Sequence, residues 1–468
     1  MSKNNAEIGQ YSFTSLQEDL VSHLPRSSTC WLPAACFLKL TSTLEVALAL
    51  RIGKYFSSSF SIRSGGHSTN PSFASIGETG IVLDLGALNA ITLLPGGDVV
   101  SVGPGATWDK VYEELEKHEM TVVGGRVSGV GVGGLITGGG MSHFSNHWGL
   151  ACDNVKNFEI VLADSTIVNA NATEHVDLFR ALKGSGSNFV SYSSHPHSVG
   201  IVTKFDLYTY PEYRVWYTFR VYSAEHTDRI MEACAKVQKA MEDDDRIGFF
   251  LNVNAGFFVT GMLYRGSTEP GSAFTAFDDI PIMASPVPET RGTQLSVARA
   301  SAMEGDAKRE TATSTVGVDT ELYADLHHIL QEIVNTIPQS ISLAFTFQPI
   351  GPSAVKKGNK HGGNCLNISP ERQSWLAILC QWTDDADDNL ARNKLRELVA
   401  GIESLAKARG KLLDFQFMND ASYTQSPLRS YGVESLESLQ AGSRKWDSES
   451  VFQRLQCSGF LMSRAGSD

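Results

Sequence analysis

Two glycine-rich stretches constrain this chain more than anything else in it. The first is Ile62-Arg63-Ser64-Gly65-Gly66-His67-Ser68; the second, about sixty residues on, is Gly131-Val132-Gly133-Gly134-Leu135-Ile136-Thr137-Gly138-Gly139-Gly140. Glycine has no Cβ and accepts positive φ, so such loops let backbone approach another surface closely and leave N–H groups free to face an anion. The first loop also delivers an arginine and a histidine. A large, flat, anionic cofactor is the natural tenant of both loops together.

The rest of the composition narrows the partners. A chain of 468 residues is long enough for two domains. It carries 39 basic and 51 acidic residues, a net charge of −12, with no basic block to follow a phosphate backbone, so nucleic acid is excluded as a partner. There is no run of eighteen apolar residues, and the polar start Met1-Ser2-Lys3-Asn4-Asn5-Ala6-Glu7 has no apolar stretch behind it, so a cytoplasmic protein without membrane contacts is expected. Seven cysteines lack metal or disulfide spacing and are expected to be mostly reduced and buried, Cys30 and Cys36 being the one local candidate pair. Asn171-Ala172-Thr173 has the glycosylation pattern, which a chain without a secretory leader would not use.

Periodicity divides the chain. Residues 1–26 are polar and weakly patterned. Residues 43–50 read as a helix capped by Ser42 or Thr43, and 107–115 as another starting at Thr107. Strands are predicted at 60–63, 80–85, 99–103 and 201–208, a hairpin over 157–170 turning at Asp164-Ser165, and a short helix at 177–183. After Tyr210-Pro211 the glycine loops stop. Strands at 342–348 and 374–382 and an amphipathic helix at 387–407 follow, and the tail from 412 is loop-rich. The acidic group Asp384, Asp385, Asp387 and Asp388 reads as charge at a helix start. The fold class is α+β: the second glycine stretch lacks the strand, Gly-x-Gly-x-x-Gly, helix order of a dinucleotide fold.

At this point Arg63-Ser64-Gly65-Gly66-His67-Ser68, Val130-Gly131-Val132-Gly133-Gly134 and Gly200-Ile201-Val202-Thr203 resemble the FAD-binding domain of the p-cresol methylhydroxylase and vanillyl-alcohol oxidase superfamily. Within it the chain is most similar to berberine-bridge-like oxidases of fungal type, through residues 151–155, 169–173, Phe347-Gln348-Pro349 and Gln381-Trp382. The resemblance implies a two-part FAD domain, 27–211 and 412–468, around a substrate domain at 212–411 with an antiparallel sheet backed by helices. It implies FAD bound covalently by an 8α-histidyl bond from His67. Relatives' second, cysteinyl attachment falls on Val127, so a single link is expected and Val127 is read as core filler.

The other roles the resemblance implies are these. The backbone of 64–68 and 131–140 would cradle the pyrophosphate and ring edge, including Ser64, Gly65, Gly66, Ser68, Gly131, Gly133, Gly134, Gly138, Gly139 and Gly140. Gly125 and Val130 would flank it, Gly200 and Ile201 would approach the adenine, and Arg63 would add positive charge, a salt bridge being the rival reading. Asn419 aligns with the asparagine of a Tyr-x-Asn motif whose tyrosine is Phe417 here. Val132 sits where relatives control oxygen access, and its small side chain leans toward an oxidase.

The implied chemistry is hydride transfer from a small, aromatic or polyketide-like metabolite to flavin N5. A base takes the accompanying proton, and molecular oxygen is reduced to peroxide. Candidates facing the flavin are Tyr423, Asn419 and Gln348, with His143 and His147 as secondary candidates for the base; the two amides can only orient substrate, and no metal site is expected. The ten residues 190–199 interrupt the family pattern and read as translated intron or a surface loop, and His195 and His197 within them lack a third ligand. A dehydrogenase with another acceptor, or a non-catalytic ligand-binding protein, are the alternative readings.

Overall fold

Three sheets organise the computed structural model, which describes residues 27–186, 199–302, 305–456 and 459–460. Cys36–Lys39, Ile81–Asp84 and Phe60–Arg63 form a small parallel sheet with Ile81–Asp84 in the middle. Parallel neighbours need crossover connections, and the helix Thr43–Tyr55 begins at Ser42, whose Oγ accepts from the Glu45 N–H at 3.2 Å. The second sheet is antiparallel, in the order Ile91–Leu93, Val99–Val102, Gly200–Tyr210, Val155–Leu162 and Ile167–Asn171. Its hairpin turns where expected. Asp164 Oδ1 accepts from the Thr166 N–H at 2.9 Å, and Ser165 takes the left-handed conformation at φ +70°.

The third sheet has eight antiparallel strands: Ile282–Thr293, Arg214–Ser223, Phe257–Arg265, Ile247–Val253, Ile341–Ile350, Gln373–Trp382, Lys308–Gly317 and Leu412–Leu413. Three long helices, Thr227–Asp243, Thr320–Val334 and Asp388–Ala408, cover one face with a continuous apolar core. Asp384 caps the turn before the last of them, and Asp388 pairs with Lys308 at 2.6 Å. The acidic group thus does the work of a helix start. The opposite face carries cross-strand rows of mostly small and polar residues: Asn252, Thr346, Ala377 and Thr313 in one, and Ala344 and Thr311 flanking Leu379 in the next.

Beyond Leu413 the chain leaves this sheet. Phe415 and Phe417 lie on the buried Trp375, with ring centroids at 5.0 and 4.5 Å. The tail is less loop-like than its sequence suggests, because residues Val433–Trp446 form a helix. That helix buries only Leu439 and Ser443, which explains its weak apolar period. It is tied to Asp177 by Lys445 at 2.8 Å and by the Trp446 indole N–H at 3.1 Å. A last helix, Val451–Leu455, packs on Thr43–Tyr55, and Gln456 bridges Phe60.

Six cysteines are described, and all are free thiols, five of them buried, so Cys30 and Cys36 are not paired. No described helix is long and apolar enough to cross a membrane. Residues 1–26, and His195 and His197 with the rest of 190–198, lie outside the described residues.

Trp375→Ala removes the ring on which the returning segment sits. The expected cost is about 3–5 kcal/mol, read as a lowered urea midpoint at unchanged m value.

Candidate cofactor and active site

The two glycine loops touch through their backbones. A Cβ built on Gly65 would lie 2.5 Å from Gly131 Cα, and one on Gly131 would lie 2.7 Å from Gly65 Cα. Neither position accepts any other residue without parting the loops. Gly66 holds φ +63°, and Ser64 Oγ donates to the Pro104 carbonyl. The second stretch is not simply a loop: Val132–Thr137 is a short helix opening directly at Gly131.

Between these loops and the polar face of the eight-stranded sheet lies a cavity of 510 Å³. Ser64, Gly65, Gly66, His67, Ser68, Val130, Gly131, Gly133, Gly134, Gly138, Gly200, Ile201 and Asn419 all line it. Thr311, Thr346, Ala377 and Leu379 supply its sheet side. Asn70 fastens the first loop to the returning segment, its Nδ2 donating to the Ala421 carbonyl and its Oδ1 accepting from the Tyr423 N–H, each at 2.9 Å.

Several expected residues lie elsewhere. Strand alternation turns Ile62 to the cavity and Arg63 away from it. Arg63 is buried against Asp84, Nη2 to Oδ2 at 2.6 Å, which is the salt-bridge reading. Gly125 seats Trp108, whose indole a Cβ there would meet at 2.5 Å. Gly139 and Gly140 accept through their carbonyls from Cys152 and Ala151 and do not reach the cavity wall. Val132 is fully buried in the core and does not line the cavity, so it provides no gate there. Val127 is the reverse case: expected as filler, it is half-exposed on the cavity wall.

The candidate catalytic residues separate in the same way. Asn419 is a clamp: Oδ1 accepts from the Gly140 N–H at 3.0 Å, Nδ2 donates to the Gly134 carbonyl at 3.1 Å, and a Cβ on Gly138 would strike it. Tyr423 does not line the cavity. Gln348 is buried just behind the wall, and its amide joins two side chains that sequence reasoning missed. Its Oε1 accepts from Arg126 Nη2, and its Nε2 donates to Asp420 Oδ2 at 2.8 Å. Both Arg126 and Asp420 line the cavity. The available signal was adjacency: Asp420 follows Asn419, and Arg126 precedes Val127.

Burial pushes the Asp420 carboxyl above the usual carboxylate range, with the Arg126 charge and the Gln348 hydrogen bond opposing the shift. Burial likewise pushes Arg126 down. His143 is buried off the cavity against Phe250; desolvation, then the Arg126 charge, push it down to about 3, so it is neutral. His147 pairs with Asp245 at 2.7 Å, away from the cavity.

Comparison with known proteins follows the same outline. A family model described as an FAD binding domain matches residues 34–171. The FAD-dependent monooxygenase macF of Penicillium terrestre is 32% identical over 470 residues, covering 99% of this chain and 87% of that one. An FAD-dependent monooxygenase of Arthrobotrys oligospora is 32% identical over 440 residues, 94% of this chain and 84% of its own. The bifunctional solanapyrone synthase of Alternaria solani is 31% identical over 432 residues, 92% and 81% respectively. Among solved structures, xylooligosaccharide oxidase of Myceliophthora thermophila superposes with TM-score 0.76 at 19% identity, covering 97% of each chain. Glucooligosaccharide oxidase of Acremonium strictum, described with a 6-S-cysteinyl, 8α-N1-histidyl FAD, superposes with TM-score 0.75 at 20% identity over 92% of each.

Gly65→Ala is expected to cost about 3 kcal/mol of overpacking. Gly53→Ala, in a helix with no atom near the new methyl, gains about 0.5–1 kcal/mol; thermal melts of both variants check the contrast. A second measurement follows from Asp420. Its folded pKa is raised, so the stability it contributes is full below the unfolded value near ~3.9 and is lost as pH rises through the raised one. The melting temperature of the native chain therefore falls across that window relative to Asp420→Asn.

Proposed function

The chain belongs to the berberine-bridge-like FAD-linked oxidoreductases of fungal type, and on that premise we propose that it oxidises a small metabolite, holding FAD covalently through His67 alone and using molecular oxygen as electron acceptor. The observation that carries this reading is the backbone contact of Gly65 with Gly131 beside His67 on the cavity wall. The residues fit the group. Two glycine loops offer backbone with no Cβ in the way, Gly200 and Ile201 line the same cavity, and an imidazole lines the wall.

Bound there, FAD would supply a two-electron acceptor for a hydride, with oxygen as the final acceptor. The chain does the rest. Asn419 holds the second glycine segment in place, and the sheet face offers small side chains, Ala344, Ala377 and Thr346, on which a flat aromatic or polyketide-type substrate would lie. Val127 on the wall has no thiol, which supports one covalent link in place of the two described for glucooligosaccharide oxidase. The names of the relatives, monooxygenases and a solanapyrone synthase, support a metabolite substrate.

The test is an absorption spectrum before and after acid precipitation. Yellow colour is expected to stay with the pellet and to be lost or released in His67→Ala. Colour in the supernatant would retain the cofactor and discard the histidyl bond. Photoreduced protein mixed with air is expected to reoxidise rapidly with one peroxide per flavin. Slow reoxidation would favour a dehydrogenase with another electron acceptor.

A further inference from the structure

Four titratable side chains line the cavity among the described residues: His67, Arg126, Arg309 and Asp420. The guanidinium groups keep their protons, and His67 is committed to the cofactor on the reading above, on which this inference rests. Among the described residues Asp420 is the one carboxylate on the wall. One of its oxygens, Oδ2, is held by Gln348 Nε2 at 2.8 Å, while Oδ1 receives no protein hydrogen bond among the described residues. Asp420 also follows directly on Asn419, which is clamped at both ends to the second glycine segment. Its position is therefore tied to the wall that holds the cofactor.

The geometry points to Asp420 as the group that takes the proton from a substrate hydroxyl or amine at Oδ1, with Gln348 and Arg126 as its positioning residues. For an alcohol, the O–H and C–H bonds break. The proton goes to Asp420 Oδ1, the C–H electron pair leaves with its hydrogen as hydride to FAD, and the carbon–oxygen double bond forms. The carboxyl then returns its proton to solvent through the cavity.

Gln348 explains why this carboxylate can serve as a base. Its amide stands between Arg126 and Asp420, accepting from one and donating to the other, and the two charged groups make no direct ion pair. A direct pair would hold the carboxylate ionised and make it a poor proton acceptor. With the amide interposed, burial outweighs the guanidinium charge and holds the carboxyl above the usual carboxylate range. Arg309, from the strand Lys308–Gly317, is the other charge facing the same cavity.

The test uses the holoenzyme and 4-nitrophenol, an O–H acid whose neutral and ionised forms are distinguished by absorbance, with binding measured by equilibrium dialysis between pH 6 and 9. The native protein is expected to bind the neutral phenol, which donates to Asp420, and to lose affinity as the phenol ionises. Asp420→Asn keeps the shape and removes the charge. Its affinity is expected to rise with pH instead, and at the alkaline end to exceed the native value about tenfold, a difference of about 1.4 kcal/mol. Gln348→Leu lets Arg126 close on the carboxylate and is expected to weaken neutral-phenol binding about threefold or more with Asp420 still present. It carries the test if Asp420→Asn fails to accumulate. Affinities within about twofold and an unchanged pH profile, in variants carrying a full complement of flavin, would overturn the assignment. A flavin-free native protein would overturn the cofactor reading itself, and the assignment with it.

Discussion

Everything at this site depends on two α-carbons being close enough to exclude a methyl group. Gly65 and Gly131 belong to loops some sixty residues apart, and their backbones meet with no side chain between them. Close approach of bare backbone leaves peptide groups at the surface of the cavity, and such groups must find partners. Some find them in the protein, as when the Gly140 N–H donates to Asn419 Oδ1. Gly65, Gly66, Gly131 and Gly134 stand on the cavity wall, where backbone without a Cβ suits a close-lying anion. The contact is made by the first part of the chain but secured by the last. Asn70 grips residues 421–423, and Asn419 grips the segment 134–140. The returning tail therefore belongs to the cofactor site as fully as the loops do.

The eight-stranded sheet contributes through a different physical device. Its helices bury one face, which frees the other to be polar, as an antiparallel sheet allows. Alternation then determines what reaches the cavity. In Ile341–Ile350 the residues Ala344, Thr346 and Gln348 share a face, and register with Gln373–Trp382 places Gln348 beside Trp375. That stack, Trp375 on Phe417, holds the segment carrying Asp420 against the strand carrying Gln348. Burying Arg126 and Asp420 is expensive unless both are hydrogen-bonded. One amide gives each of them a single hydrogen bond, and the desolvation left uncompensated holds the carboxyl above its ordinary range.

Much of this was legible in the sequence. The glycine loops announced themselves because glycine repeats have few structural uses, and His67 stood inside one of them. The misplaced residues fail for local reasons. Arg63 was assigned by its membership of a motif, although the alternation in Phe60-Ser61-Ile62-Arg63 already turns Ile62 and Arg63 to opposite sides. Gly125 and Gly139 resemble cofactor glycines in sequence, yet their hydrogen atoms face a tryptophan and a leucine. Tyr423 was favoured for its chemistry and is too far along its loop to line the cavity. Arg126 and Asp420 escaped notice because neither has a periodic or motif signature. Only the fold brings residues almost three hundred apart to the two ends of one amide.

The interruption at 190–199 meets this architecture at a tolerant point. Gly186, before it, and Val199, its last residue, both line the cavity, and Gly200 opens the strand Gly200–Tyr210. That strand is the middle of its sheet, paired to Val99–Val102 on one side and Val155–Leu162 on the other. Its register is therefore set by neighbours on both sides and not by the connection that leads into it. Lengthening a connection costs little, about 0.6 kcal/mol for each doubling, whereas a central strand slipped by one residue would turn its whole buried row outward. Ten added residues are thus no thermodynamic obstacle to the cradle.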